Sequence, residues 1–91
     1  MRSVHVIVDG RVQGVGYRYS LHGVADRAHV SGWVRNRTDG SVEAVLEGSD
    51  AAVDEVLAWM AGGPPGARVD RSTVSEVDPT GASGFEVRDT A

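Results

Sequence analysis

The chain has 91 residues, 41% of them hydrophobic, which suffices for one globular domain with a single modest core and argues against disorder. With no cysteine it can hold no disulfide, no thiolate nucleophile and no cysteine-built zinc site. A net charge of −4 argues against broad nucleic-acid binding, yet the charge is uneven: residues 1–40 carry six Arg and three Asp, residues 41–91 three Arg and ten acids.

In the first segment Val4, Val6 and Val8 alternate with Ser3, His5 and Ile7, which predicts a strand over Ser3–Val8 with a buried face. After Asp9, the nine residues Gly10-Arg11-Val12-Gln13-Gly14-Val15-Gly16-Tyr17-Arg18 place three glycines and a guanidinium between that strand and a helix starting near Tyr17. Glycine admits backbone conformations that let successive N–H groups converge on an anion. A helix N-terminus adds partial positive charge, and arginine offers a fork matched to phosphate oxygens. Glycine-rich turns also occur wherever a chain reverses sharply, so spacing alone leaves an anion site and a plain turn equally open. Two common phosphate loops are excluded. A Walker A loop needs a lysine and the chain has none, while a dinucleotide fingerprint needs glycine where Tyr19 stands.

Leu21, Val24, Ala25 and Ala28 form one helical stripe ending near His29. Ser31–Thr38 reads as a second strand carrying Trp33 and Val34, and Asp39-Gly40 is a hairpin turn signal. Val42, Ala44 and Leu46 alternate with Glu43 and Glu47, which predicts a third strand with one wet face. Ser49 or Asp50 can cap a second helix whose stripe is Val53, Val56, Leu57 and Met60. Gly62-Gly63 and Pro64-Pro65 stop it. A fourth strand follows over about Val69–Val77, then a loop from Pro79 to Gly84 and a short closing strand, Phe85–Arg88.

The order β-α-β-β-α-β is that of the ferredoxin-like split βαβ sandwich, an α+β fold. It predicts a four- to five-stranded antiparallel sheet with two helices on one face, over residues 1–91 as a single domain. Such a fold hosts many functions and decides none of them. The N-terminal segment has no apolar signal core and no stretch reaches the roughly 18 apolar residues of a membrane span, so a cytoplasmic monomer without membrane contact is expected. His5, His22 and His29 lack metal-ligand spacing; Trp33, Trp59 and Phe85 read as core or core-edge packing, and Arg11, Arg35 and Arg37 as solvated charges.

The glycine loop with Arg18, then Gly32-Trp33-Val34-Arg35-Asn36 and Asp39-Gly40, resembles the acylphosphatase family. The likeness continues through Glu47-Gly48, Val53–Met60, Gly63-Pro64-Pro65-Gly66-Ala67-Arg68-Val69 and Phe85-Glu86-Val87, nearly the whole chain. It implies hydrolysis of the carboxyl–phosphate bond of small acyl phosphates, giving a carboxylate and inorganic phosphate, with no metal or cofactor. Arg18 and Asn36 take the places of the family's catalytic arginine and asparagine. The phosphate-binding stretch falls on Val12, Gln13, Gly14, Val15, Gly16, Tyr17 and Arg18. Tyr17 stands where the family often has phenylalanine, and its hydroxyl needs a partner if buried. Arg37 follows the asparagine where some members have threonine, so the resemblance assigns no role to that position. A non-catalytic phosphate- or anion-binding regulatory module of the same fold is the alternative.

Overall fold

The computed structural model describes residues 1–91. In chain order the elements are β1 (Arg2–Arg11), α1 (Tyr17–Ala28), β2 (Ser31–Asn36), β3 (Val42–Gly48), α2 (Asp50–Gly62), β4 (Arg68–Val77) and β5 (Phe85–Val87). The strands form one sheet in the order β4-β1-β3-β2-β5. Alternation in β1 does what its period implies. Val4, Val6 and Val8 are fully buried, as are their partners on β3, Leu46, Ala44 and Val42. Fully burying one such side chain contributes roughly 1.5–3 kcal/mol, so this central pair of strands forms the middle of the core.

Both helices cover that face. α1 packs over β2 and β5, α2 over β1, β3 and β4, and the helices touch each other. Tyr17, Leu21 and Ala25 of α1 are buried, with Val24 and Ala28 partly so, and Val53, Val56 and Met60 form the buried stripe of α2. Ser49 caps α2 by accepting from the Ala52 amide at 3.2 Å. His29 ends α1 in the left-handed region (φ 59°), its N–H donating to the carbonyls of Ala25 and Asp26.

Two expectations are corrected. The sheet is mixed, because β5 runs parallel to β2 at the edge, with Gly32 N–H donating to Gly84 O at 3.0 Å and Arg88 N–H to Val34 O at 2.8 Å. A tight hairpin from β4 would have forced β5 antiparallel beside it. A long connection instead carries the chain to the far edge and frees its direction.

The second correction concerns β3, whose Glu43 and Glu47 are buried, not wet. Glu47 lies beneath the β4–β5 connection, accepting from the Thr80 amide, the Thr80 hydroxyl at 3.0 Å and the Ala82 amide at 2.8 Å. The Thr80 amide chiefly holds this carboxyl below the ordinary glutamate range, although burial pulls the other way. Glu43 accepts from His5 Nε2 at 2.6 Å and Arg35 Nε at 2.7 Å. Burial works to raise its pKa, but the two hydrogen bonds and the Arg35 charge outweigh it and the carboxyl is held low. On this same face Trp33 is half-buried, with the guanidinium groups of Arg35 and Arg88 at 4.8 and 4.7 Å from its ring centroid.

Candidate active site

The loop between β1 and α1 is built from alternating anchors and gaps. Val12 is buried in the core and Val15 packs against it. Gln13 turns its amide to the β2–β3 hairpin, with Nε2 donating to the carbonyls of Arg37 at 2.7 Å and Ser41 at 2.9 Å. Gly14 and Gly16 lie between these anchors at φ 74° and 78°. Nothing stands within 4 Å of a Cβ built on either, so what demands glycine there is the backbone torsion and not the space. Gly16 is also the N-cap of α1 and brings no side-chain acceptor, which leaves the first-turn N–H groups free of a side-chain cap.

Tyr17 fixes the start of the helix. Its ring is buried, 5.4 Å from that of Trp59, and its hydroxyl donates to Met60 O at 2.7 Å. That carbonyl belongs to the last turn of α2 and would otherwise lack a partner. Burial raises the phenol pKa well above the ordinary tyrosine range, so the hydroxyl stays a donor. The next residue, Arg18, is half-buried, donates from Nη1 to Arg88 O at 3.2 Å and lies 5.8 Å from the ring centroid of Tyr19. It takes part in none of the ion pairs of the chain.

Asn36 ends β2, two residues after the buried Val34, and so faces the helical layer. The hairpin beyond it is pinned several times. Arg37 N–H donates to Ser41 O at 2.9 Å, Gly40 N–H to Arg37 O at 3.1 Å, and Asp39 Oδ1 accepts from the Ser41 amide and hydroxyl at 2.9 and 2.6 Å. The Ser41 hydroxyl, more than any other partner, holds the Asp39 carboxyl below its ordinary range. Ala91 N–H adds a bond to Asn36 O at 3.1 Å.

These elements enclose a cavity of about 210 Å³ lined by Val12, Gly14, Gly16, Tyr17, Arg18, Tyr19 and Asn36. Arg18 and Asn36, from different layers, therefore share one space with the glycine backbone. No acidic residue lines it. Gln13 and Val15, also expected in the cradle, are not among these lining residues: the Gln13 side chain is tied to the hairpin and Val15 packs against the core. Tyr19 is a lining residue that periodicity could not single out, since an exposed aromatic carries no spacing signal. A larger depression of about 530 Å³ at the other end of β1 is lined by Asp50, Asp54 and Glu76, with Arg2 already paired to Asp54 and Glu76, a poor environment for an anion. Nowhere in the chain do three His, Asp or Glu side chains come together as a metal-holding group.

Fold and cavity together define a small α+β domain in which a glycine loop, one unpaired arginine and one asparagine surround a common space. The acylphosphatase family model matches residues 4–87. An acylphosphatase of Thiobacillus denitrificans is 51% identical over 88 residues, covering 97% of this chain and 98% of the relative. The acylphosphatase structure from Bacillus subtilis superposes with a TM-score of 0.94 at 38% identity, covering 97% of this chain and 99% of that one. HypF of T. kodakarensis contains a similar fold, with a TM-score of 0.84 at 31% identity over 97% of this chain and 12% of that protein. The chain belongs to the acylphosphatase family, enzymes that hydrolyse acid anhydrides.

Proposed function

We propose that this chain hydrolyses the carboxyl–phosphate bond of small acyl phosphates in the Arg18–Asn36 cavity, as a monomer formed by one domain over residues 1–91. The observation that carries the reading is an arginine without an ion pair, sharing about 210 Å³ with Asn36 and two left-handed glycines. Phosphoryl transfer asks a protein mainly for positioning and charge stabilisation. Arg18 cannot deprotonate, so it acts as a permanent electrophilic clamp on the phosphoryl oxygens, with the loop and first-turn amides beside it. Asn36 offers both a donor and an acceptor and orients a water for in-line attack on phosphorus. The P–O bond to the acyl group breaks, the carboxylate leaves with the bonding pair, and the water's proton passes to a phosphate oxygen or to solvent. A carboxylate is a good leaving group, so no general acid is required.

The test is release of phosphate from benzoyl phosphate by the wild type and by Arg18→Ala. Loss of one transition-state donor costs about a hundredfold or more in turnover, and weaker inhibition by inorganic phosphate should accompany it. Full activity in the variant overturns the role of Arg18. The HypF likeness supports a second reading, a non-catalytic anion-binding module, because there the fold occupies a small part of a longer chain. Phosphate that raises the melting temperature while the wild type releases none from any acyl phosphate would favour that reading. The net charge of −4 supports a function without nucleic acid, and no helix is long and apolar enough to cross a membrane. We place the activity in the cytoplasm.

A further inference from the structure

Tyr19 is 71% exposed, the only aromatic among the large exposed hydrophobic residues. It lines the Arg18–Asn36 cavity and also a second, open groove of about 390 Å³ that runs along α1, from Tyr19 to Arg27, beside the end of α2. The apolar walls of that groove are Val24, Trp59, Pro64 and Pro65. Trp59 is half-buried and backed by the Tyr17 ring at 5.4 Å, so this wall is held in place from the core side. Arg27 also lines the groove, with Nη1 only 3.3 Å from where a Cβ on Gly23 would stand, and it makes no ion pair. An unpaired cation here favours the approach of an anionic substrate.

We infer that this groove receives the acyl group of the substrate and selects flat, apolar acyl groups, with Tyr19 as the contact that reads them. The inference rests on the acyl phosphate reading of the cavity. In an acyl phosphate the carbonyl carbon is one oxygen away from phosphorus, so the acyl group must leave the cavity at its rim. Tyr19 is the rim residue that both spaces share. In-line attack also puts the leaving oxygen opposite the water that Asn36 orients. Asn36 comes from the sheet, so the acyl group points toward the helical layer, where the groove lies. A ring stacked on Tyr19 gains an aromatic contact that a methyl group cannot make.

The experiment compares kcat/KM for benzoyl phosphate and acetyl phosphate in the wild type, Tyr19→Ala and Tyr19→Phe, with the inhibition constant of inorganic phosphate as a third reading. Tyr19→Ala is expected to lower the benzoyl-to-acetyl ratio about three- to tenfold, the scale of one aromatic contact, with phosphate inhibition kept within about twofold. Tyr19→Phe should keep the ratio. Equal losses on both substrates overturn the inference, as does a weakened phosphate constant, which would mean that the ring merely steadies Arg18. An unchanged ratio in Tyr19→Ala overturns it as well. If the wild type hydrolyses neither compound, the reading of the cavity falls and the groove falls with it.

Discussion

The side-chain amide of Gln13 donates to the main-chain carbonyl of Arg37 at 2.7 Å, one residue beyond Asn36. The same nitrogen reaches Ser41 O at 2.9 Å, so the glycine loop is tied to both sides of the hairpin turn. The two partners are carbonyls, which leaves the amide no other orientation. This tie couples the backbone of the cradle to the strand end that carries the asparagine.

Replacing Gln13 by Leu removes both bonds without touching the cavity wall. Misplacing a positioning group by about 1 Å can cost a hundredfold, so kcat should fall roughly tenfold to a hundredfold. Inhibition by inorganic phosphate should change far less, because Arg18 is unaltered. A kcat equal to the wild type on benzoyl phosphate would show that the hairpin keeps Asn36 in place without the tie.

Asn36→Ala separates water orientation from phosphate binding. Turnover should drop at least about tenfold if the carboxamide positions the water as proposed, while the phosphate inhibition constant stays within about twofold of wild type. A loss of phosphate affinity as large as the loss in turnover would make Asn36 a ligand of the phosphoryl group instead.

Tyr17→Phe tests the bond from the hydroxyl to Met60 O. The carbonyl at the end of α2 loses its 2.7 Å partner, which costs about 1–3 kcal/mol where a buried group is left unsatisfied. In urea the midpoint should fall with an unchanged m-value. No shift in the midpoint would mean that solvent satisfies this carbonyl equally well.

Acid stability follows from Glu43 and Glu47. Both carboxyls are held below their ordinary range in the folded chain. Their contribution is therefore fully present above the unfolded glutamate pKa of about 4.3 and is lost as pH falls through the lower folded values. Urea midpoints measured from pH 7 to pH 3 should decline steeply below about pH 4.5. Glu47→Gln should lower the midpoint at pH 7 and flatten that decline, because the Thr80 and Ala82 amides then face a neutral acceptor. A variant with the same slope as wild type would remove Glu47 from the account.

Local physics wrote much of the fold in the sequence. The valines of β1, the stripes of α1 and α2, the Asp39-Gly40 turn and the Ser49 cap all act between residues a few positions apart, where periodicity and turn chemistry are legible. The glycine loop with Arg18, and Asn36 at a strand end, were legible for the same reason and through their likeness to a family. The parallel pairing of β5, the burial of Glu43 and Glu47 and the Gln13 tie were not. A period of two says which residues share a face but not what will cover it, and the covering segment here comes from the β4–β5 connection, far along the chain. Tyr19 gave no signal because an exposed ring acquires meaning only from the two spaces it stands between. Short-range patterns specified the elements and the chemical groups they carry. Their meeting in one cavity was decided by sheet order, which sets β3 between β1 and β2 and brings the loop after the first against the end of the second.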